Sequence, residues 1–296
     1  MKKITLVLFT LFFSLSLFSQ NCVTDYRSGD FGLQSVFGEI VFLKVDPDSN
    51  KWFGIKTSYQ GYGIGKFDGT NWTAFTAANS DLPDDWVYDI AFDTSGNVWV
   101  ATHQGLAMFN GDSLTGWEIF NSIDFGIAEN KLTAIAIDSG YVKWLGFPSG
   151  KVIRYNDTTW TVFNQLNTLP INTINVDSSH NIWCGMNHST GLAVYDHNTW
   201  TTFPGRNYIR SIQFRGTSHV YACGINGVYI YDGVEWTAIP NPPTYSLYHL
   251  AIHNDEVWLS SNKGLVQLRD SDLITYTPQN SGIPIFYPFS LPVAFD

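Results

Sequence analysis

The chain has 296 residues, of which 14% are charged and 16% aromatic, proportions opposite to those of a disordered segment. Acids outnumber bases 26 to 16, giving a formal charge of -10 with no Lys/Arg cluster, which argues against nucleic acid and anionic membrane as partners. Three cysteines, none at zinc-ligand spacing, exclude a disulfide scaffold and a zinc site.

In chain order, the first element is a targeting segment. Met1-Lys2-Lys3 is a short basic start, an apolar run extends from Ile4 to Phe18, and polarity returns at Ser19-Gln20-Asn21. About fifteen apolar residues fall short of the roughly 20 that a membrane span needs, so residues 1–20 read as a secretory signal peptide. No second run of membrane length follows, and residues 21–296 are expected to form one exported domain.

That domain is a repeat. Six units recur, each an apolar run ending near an Asp, then an aromatic, then Gly-led and Trp-led runs: residues 40–75, 87–120, 132–163, 171–203, 209–239 and 248–276. Trp52, Trp99, Trp144, Trp183, Tyr221 and Trp258 form one column; Trp72, Trp117, Trp160, Trp200, Trp236 and Ile274 form a second. Both keep a period near 40, and each unit holds four short β-type runs without helical periodicity. Four strands per repeat of about 40 residues predict the blade of an all-β propeller.

The turns carry their own signals. Asp68-Gly69, Asn110-Gly111 and Asp232-Gly233, between third and fourth strands, suit the positive φ of a type I′ hairpin. Asp46, Asp93, Asp138 and Asp177 follow the first strands, where a carboxylate can accept backbone N–H groups and close the turn. Two residues after the first aromatic column stand Gly54, Ala101, Gly146, Gly185, Cys223 and Ser260, small where blades crowd together. Cys184 and Cys223 fall on adjacent blades, too far apart for a disulfide, and are expected as free buried thiols. The termini resemble parts of a seventh blade: Val23 to Tyr26 reads as an outermost strand and Pro288 to Asp296 as an innermost one, with the two strands between them missing. The expectation is therefore six complete blades plus parts of a seventh in a chain truncated at its C-terminus. The alternative is a closed six-bladed ring.

The string from Asp93 to Leu106, Asp-x-x-Gly-Asn-Val-Trp-Val-Ala-Thr-x-x-Gly-Leu, resembles the repeat of the two-component regulator propeller family. The resemblance implies a secreted or periplasmic protein of a Gram-negative bacterium that binds ligands, glycans above all, or the sensor ectodomain of a longer receptor. It carries over no catalytic residue and no cofactor. On a propeller, ligands gather on the face shared by the second-to-third strand loops and the inter-blade loops. There the sequence places Lys56, Tyr59, Trp86, His103, Gln104, Asn187, His188, Arg206, Asn226 and Lys263, a mixture of amide, imidazole and aromatic groups suited to a sugar or to a protein ligand. His103 and His188 are the candidates for a metal ligand or general base in a rival, virginiamycin B lyase-like enzyme. Neither has a carboxylate in its own loop, so no metal site and no catalytic residue are assigned, and the domain is expected to act as a monomer.

Overall fold

The computed structural model describes residues 6–10, 14–19, 22–26, 39–166, 169–187, 191–240, 246–253, 255–277 and 280. Near the N-terminus, β1 (Leu6–Thr10), β2 (Ser14–Ser19) and β3 (Cys22–Tyr26) form a three-stranded antiparallel sheet in that order. The strand expected at Val23 to Tyr26 is present, but it pairs with β2 (Val23 opposite Phe18) instead of standing alone at the edge of a partial blade. The Ser-Leu-Ser-Leu alternation of residues 14–17 has the period of a strand, and the apolar reading of the whole stretch passed over it. The C-terminal strand expected at Pro288 to Asp296 lies outside the described residues.

Each of the six repeats folds into one four-stranded antiparallel blade. The first holds β4 (Glu39–Val45), β5 (Lys51–Lys56), β6 (Gly61–Phe67) and β7 (Trp72–Phe75). The second holds β8 (Val87–Phe92), β9 (Val98–Thr102), β10 (Gly105–Phe109) and β11 (Glu118–Phe120). The third follows with β12 (Ala134–Ile137), β13 (Lys143–Gly146), β14 (Val152–Tyr155) and β15 (Trp160–Phe163). In the fourth are β16 (Ile171–Val176), β17 (Ile182–Met186), β18 (Leu192–Tyr195) and β19 (Trp200–Phe203). The fifth has β20 (Ile209–Arg215), β21 (His219–Gly224), β22 (Gly227–Tyr231) and β23 (Trp236–Pro240). The sixth has β24 (Leu247–His253), β25 (Glu256–Ser261), β26 (Gly264–Arg269) and β27 (Asp272–Tyr276). The inner strands β4, β8, β12, β16, β20 and β24 succeed one another around the axis, and the fold is a six-bladed β-propeller. One helical turn, α1 (Ser122–Phe125), interrupts the strands and is too short to leave a period in the sequence. Asn121 and Asp124 cap it reciprocally, and Phe125 is buried against Phe147 and Trp160.

Blade-to-blade packing explains both aromatic columns. Trp52 and Trp144 are fully buried, Trp99, Trp183 and Tyr221 nearly so. Trp144 packs with Ile171, Ile174 and Ile182 of the following blade, and Trp52 with Val87, Ile90 and Phe109. In the outer column Trp117 is buried and the other Trp residues are half-buried, each stacking on an aromatic across the outermost hairpin, as in Tyr155–Trp160 at 3.7 Å and Phe67–Trp72 at 4.3 Å. Small residues stand where sheets approach: a Cβ on Gly146 would meet Ile171 Cγ2 at 2.6 Å, and one on Gly185 would meet Ile209 Cγ2 at 2.7 Å. Cys184 and Cys223 are free, buried thiols, and burial pushes both pKa values up, that of Cys223 to about 12.

The recurrent Asp does more than close a turn. Asp177 Oδ1 accepts the backbone N–H groups of Ser179 and Asn181, each at 2.9 Å, while Oδ2 accepts the Asn181 amide at 2.9 Å and the indole Nε1–H of Trp183 at 2.8 Å. Asp46, Asp93 and Asp138 accept Trp52, Trp99 and Trp144 in the same way at 2.9–3.0 Å. The carboxylate thus ties the turn to the buried aromatic six residues on. In the fifth blade Arg215 occupies the Asp position and lies over the ring of Tyr221 at 5.6 Å, a cation–π contact in place of the anion–indole bond. The sixth blade, with a shorter turn, uses Glu256 to accept from Trp258 at 3.1 Å.

The outer hairpins differ from the expected two-residue type I′ turns. Phe67 pairs with Trp72 and Tyr155 with Trp160, leaving four residues in each loop. Asp68 Oδ1 accepts from Thr70 N and Asn71 N, and only the second loop residue has positive φ, Gly69 at 97° and Asp157 at 67°. An Asx-capped loop needs one left-handed residue where a type I′ turn needs two, which is why Asp157 and His197 can stand where other blades have glycine.

Candidate functional site

Tight hairpins and bulges set the residues of the channel face. Thr102 pairs directly with Gly105, Gly224 with Gly227 and Ser261 with Gly264, so each of these second-to-third loops has two residues. Gly105 needs its φ of 139°, because a Cβ there would meet the Phe120 carbonyl oxygen at 2.4 Å. The inner strands carry one irregularity at one level. Val41, Tyr88, Asn172 and Arg210 are extra residues in the ladders between β4–β5, β8–β9, β16–β17 and β20–β21. In β24 the extra residue falls at Tyr248–His249. In the third blade Thr133 donates both its N–H (2.9 Å) and its hydroxyl (3.1 Å) to the Gly146 carbonyl, just before β12. A bulge re-aims its side chain. Val41, Tyr88, Thr133, Asn172, Arg210 and His249 all line one axial cavity of about 610 Å³.

The cavity mixes polar and apolar lining. Thr173, Asn175, Ser211 and Gln213 line it together with Lys44 and Asp89. Asp89 accepts from Lys44 Nζ at 2.6 Å, from Ile90 N at 2.9 Å and from Ile135 N at 3.1 Å, so this carboxylate joins three blades. Arg210 donates to the Leu247 carbonyl at 3.4 Å and lies 4.6 Å over the Tyr248 ring. Asn172 Nδ2 donates to the Ile209 carbonyl at 2.9 Å; among the described residues its amide oxygen accepts nothing. Burial, with the charges of Arg210 and Lys44 added, pushes the His249 imidazole down to about 4, so it is neutral at neutral pH.

The sequence-derived candidates fall into separate groups around this cavity. Lys56 and His103 converge on Tyr88: Lys56 Nζ lies 5.7 Å from the ring centre and His103 Nδ1 is 3.3 Å from the hydroxyl. Lys131, which the sequence did not single out, lies over the same ring at 4.8 Å. Burial, and then the charge of Asp84, raises the Tyr88 pKa. Trp86 is half-buried beside them, its carbonyl accepting from His103 N, and Gln104 is exposed next to His103. Arg206 and Asn226 form another group: Arg206 lies over Trp236 at 4.7 Å, and the Asn226 side chain bonds the buried Tyr229. Among the described residues, Arg206 Nε and Asn207 Oδ1 are buried there without partners. Asn187 and Lys263 are exposed on their own loops, and Tyr59 stands 93% exposed at a loop tip. His188 lies outside the described residues. None of the candidates that are described lines the cavity.

The residues at this level left a signal that identity alone conceals. Val41, Tyr88, Thr133, Asn172 and Arg210 each stand eleven residues before Trp52, Trp99, Trp144, Trp183 and Tyr221. The position just before each stays aliphatic (Ile40, Val87, Leu132, Ile171 and Ile209), while the residue itself changes in every blade. Among the described residues no group of three or more His, Cys, Asp or Glu could hold a metal ion, and no helix is long and apolar enough to cross a membrane.

This all-β ring around an axial cavity is a β-propeller, and one of its repeats is similar to that of the two-component regulator propellers. The family model described as "Two component regulator propeller" matches residues 81–104, the stretch that enters and forms the first hairpin of the second blade. Among solved structures the chain is similar to the extracellular domain of BT3049, titled a hybrid two component system, from B. thetaiotaomicron, with TM-score 0.70 and 20% identity over 88% of this chain and 37% of that one. It is also similar to the extracellular domain of BT4673, titled a one component system, of the same organism, with TM-score 0.69 and 17% identity over 92% and 40%. The chain spans about two fifths of the length of these domains. A catalytically inactive virginiamycin B lyase from Staphylococcus aureus with quinupristin shares the fold, with TM-score 0.68 and 13% identity over 87% and 92%. No curated protein matches the sequence.

Proposed function

We propose that this chain is a non-catalytic binding propeller, exported to the periplasm or the medium as a monomer, that holds a glycan at the mouth of its axial cavity. The observation that carries this is the inner-strand level at which five of the six blades bulge and the third sets Thr133: a fold that repeats its core residues almost unchanged presents a different side chain there in blade after blade. Bulges interrupt ladder hydrogen bonding, and keeping one in blade after blade favours a use for the side chains they re-aim. Hydroxyl, amide and aromatic groups in one cavity suit a hydroxyl-rich ligand. The likeness to extracellular domains of sensor systems supports an exported site and leaves room for a role as one part of a longer receptor.

The test is an oligosaccharide array probed with the whole chain and with Tyr88→Ala, Thr133→Val and Asn172→Ala. The expected result is a glycan that binds the parent and binds each variant at least several-fold more weakly. A glycan whose affinity is untouched by all three changes would place the site elsewhere.

A further inference from the structure

We infer that the ligand is acidic, an oligosaccharide bearing carboxylate or sulfate groups, and that Arg210 pairs with its charge. This rests on the cavity-mouth site proposed above and names its ligand class.

The chain as a whole is acidic, at -10, yet the cavity holds two permanent cations, Lys44 and Arg210, against the single carboxylate of Asp89 among its lining residues. Lys44 and Asp89 are 2.6 Å apart and satisfy each other. Among the described residues Arg210 has no carboxylate partner. A guanidinium carries five N–H donors, and the contacts of this one are a 3.4 Å bond to the Leu247 carbonyl and the face of Tyr248. The stack fixes the plane of the fork and leaves donors for a pair of anionic oxygens, the geometry in which Arg binds carboxylate or sulfate bidentately.

At the rim, Lys131 and Lys56 both lie over the ring of Tyr88, itself a cavity residue, and among the described residues no carboxylate pairs with Lys131. Asp84, whose charge reaches Tyr88, is engaged by the backbone N–H of Trp86 at 2.7 Å. Cations thus line the cavity from blade one (Lys44) and blade five (Arg210), and Lys56 and Lys131 add theirs over Tyr88 at the rim. His249, neutral at neutral pH, does not alter this balance. The remaining lining favours a sugar over an acidic peptide: Thr133, Asn172, Thr173, Ser211 and Gln213 offer neutral donors and acceptors. Of the apolar residues beside them, Ile174, Ile212 and Leu250 are at most 2% exposed, while Val41, Val45, Phe92 and Ile252 are partly exposed and offer a surface that the C–H face of a sugar ring can cover.

The experiment is an array of uronate-bearing, sulfated and neutral oligosaccharides, with poly-glutamate as a separate arm, probed with the whole chain. Binding confined to the acidic sugars is expected. It should weaken at least tenfold in Arg210→Gln, less in Arg210→Lys, and severalfold in Lys131→Gln. It should also weaken as salt is raised from 50 to 300 mM, in keeping with a Debye length of about 10 Å at 0.1 M. Arg215→Gln, at the far end of the same strand, removes an equal charge and should bind as the parent does. Melting temperatures of Arg210→Gln and Arg210→Lys separate lost binding from lost folding. Uronate hits against sulfate hits identify the anion. Neutral sugars bound as well as acidic ones, in a manner sensitive to Asn172→Ala but not to Arg210→Gln, would overturn the acidic ligand while keeping the site. Poly-glutamate binding without sugar binding, or no acidic sugar bound at all, would overturn the inference outright.

Discussion

Removing the Asp177 carboxylate tests whether turn and core form one unit. In Asp177→Ala the indole N–H of Trp183, on a side chain only 4% exposed, loses its 2.8 Å acceptor. Two backbone N–H groups in the turn lose theirs as well, but Ser179 is exposed and Asn181 half-exposed, so water replaces most of that loss. The indole has no such substitute. A hydrogen bond to a charged group contributes about 1.5–3 kcal/mol, and an orphaned buried donor costs about 1–3 kcal/mol. The single change should therefore destabilise by about 2–4 kcal/mol. Trp183→Phe removes the donor but keeps an aromatic ring against Phe203, now 5.8 Å away and stacked. In the double variant the carboxylate is lost without orphaning a buried indole, so the two costs should fall short of additivity by about 1.5–3 kcal/mol. The assay is guanidinium unfolding of parent, both singles and the double, followed by far-UV circular dichroism and by Trp fluorescence where the remaining indoles report. Costs additive to within about 0.5 kcal/mol would mean that the carboxylate serves the turn alone.

Two further outcomes follow from the same blades. Burial pushes the Asp93 carboxyl up, but Trp99, Asn97 and the backbone N–H groups of Asn97 and Ser95 together outweigh it, and its pKa lies below the ordinary 3.8. A carboxyl depressed on folding stabilises above its unfolded pKa and loses that contribution as pH falls through its folded value, so melting temperature should drop as pH is lowered below about 4. Asp93→Asn should flatten that drop, and an unchanged profile would contradict the assignment. Gly185→Val places new carbons against Ile209 and Thr173, where a Cβ alone already comes within 2.7 Å, and should cost about 1–3 kcal/mol or more in a denaturant titration. A neutral result there would mean that the blades can part at little cost.

Much of the fold was visible because packing in a propeller recurs. The six units, their strand order and the burial of Trp52 through Tyr221 follow from columns that keep one period. The role of Asp46, Asp93, Asp138 and Asp177 was only half visible. Their constant distance of six residues from a Trp was in plain sight, yet it read as a turn because the indole N–H has no marker in a one-dimensional pattern. The joint loss of Asp and Trp in the fifth blade was the better clue, since partners in one bond are lost together. Outer hairpins were misjudged because Asp-Gly suits two loop lengths, and strand register decides between them. The N-terminal sheet was passed over because an apolar run of that length also fits an export signal.

The candidate site was the least legible part, for a physical reason. Repetition marks residues that must do the same thing in every blade, and a ligand cavity on the axis needs each blade to do something different. Val41, Tyr88, Thr133, Asn172 and Arg210 share a position and nothing else, so a search for similarity discards them as noise. The bulge makes that variety tolerable. It lifts one residue out of the ladder toward the cavity, and exchanging one side chain for another there need not disturb the core that Ile40, Ile171 and Ile209 keep beside it. Stability and recognition thus sit on adjacent residues of the same strand with opposite patterns. In such a ring the positions most informative about the ligand are those where an ordered frame stops repeating.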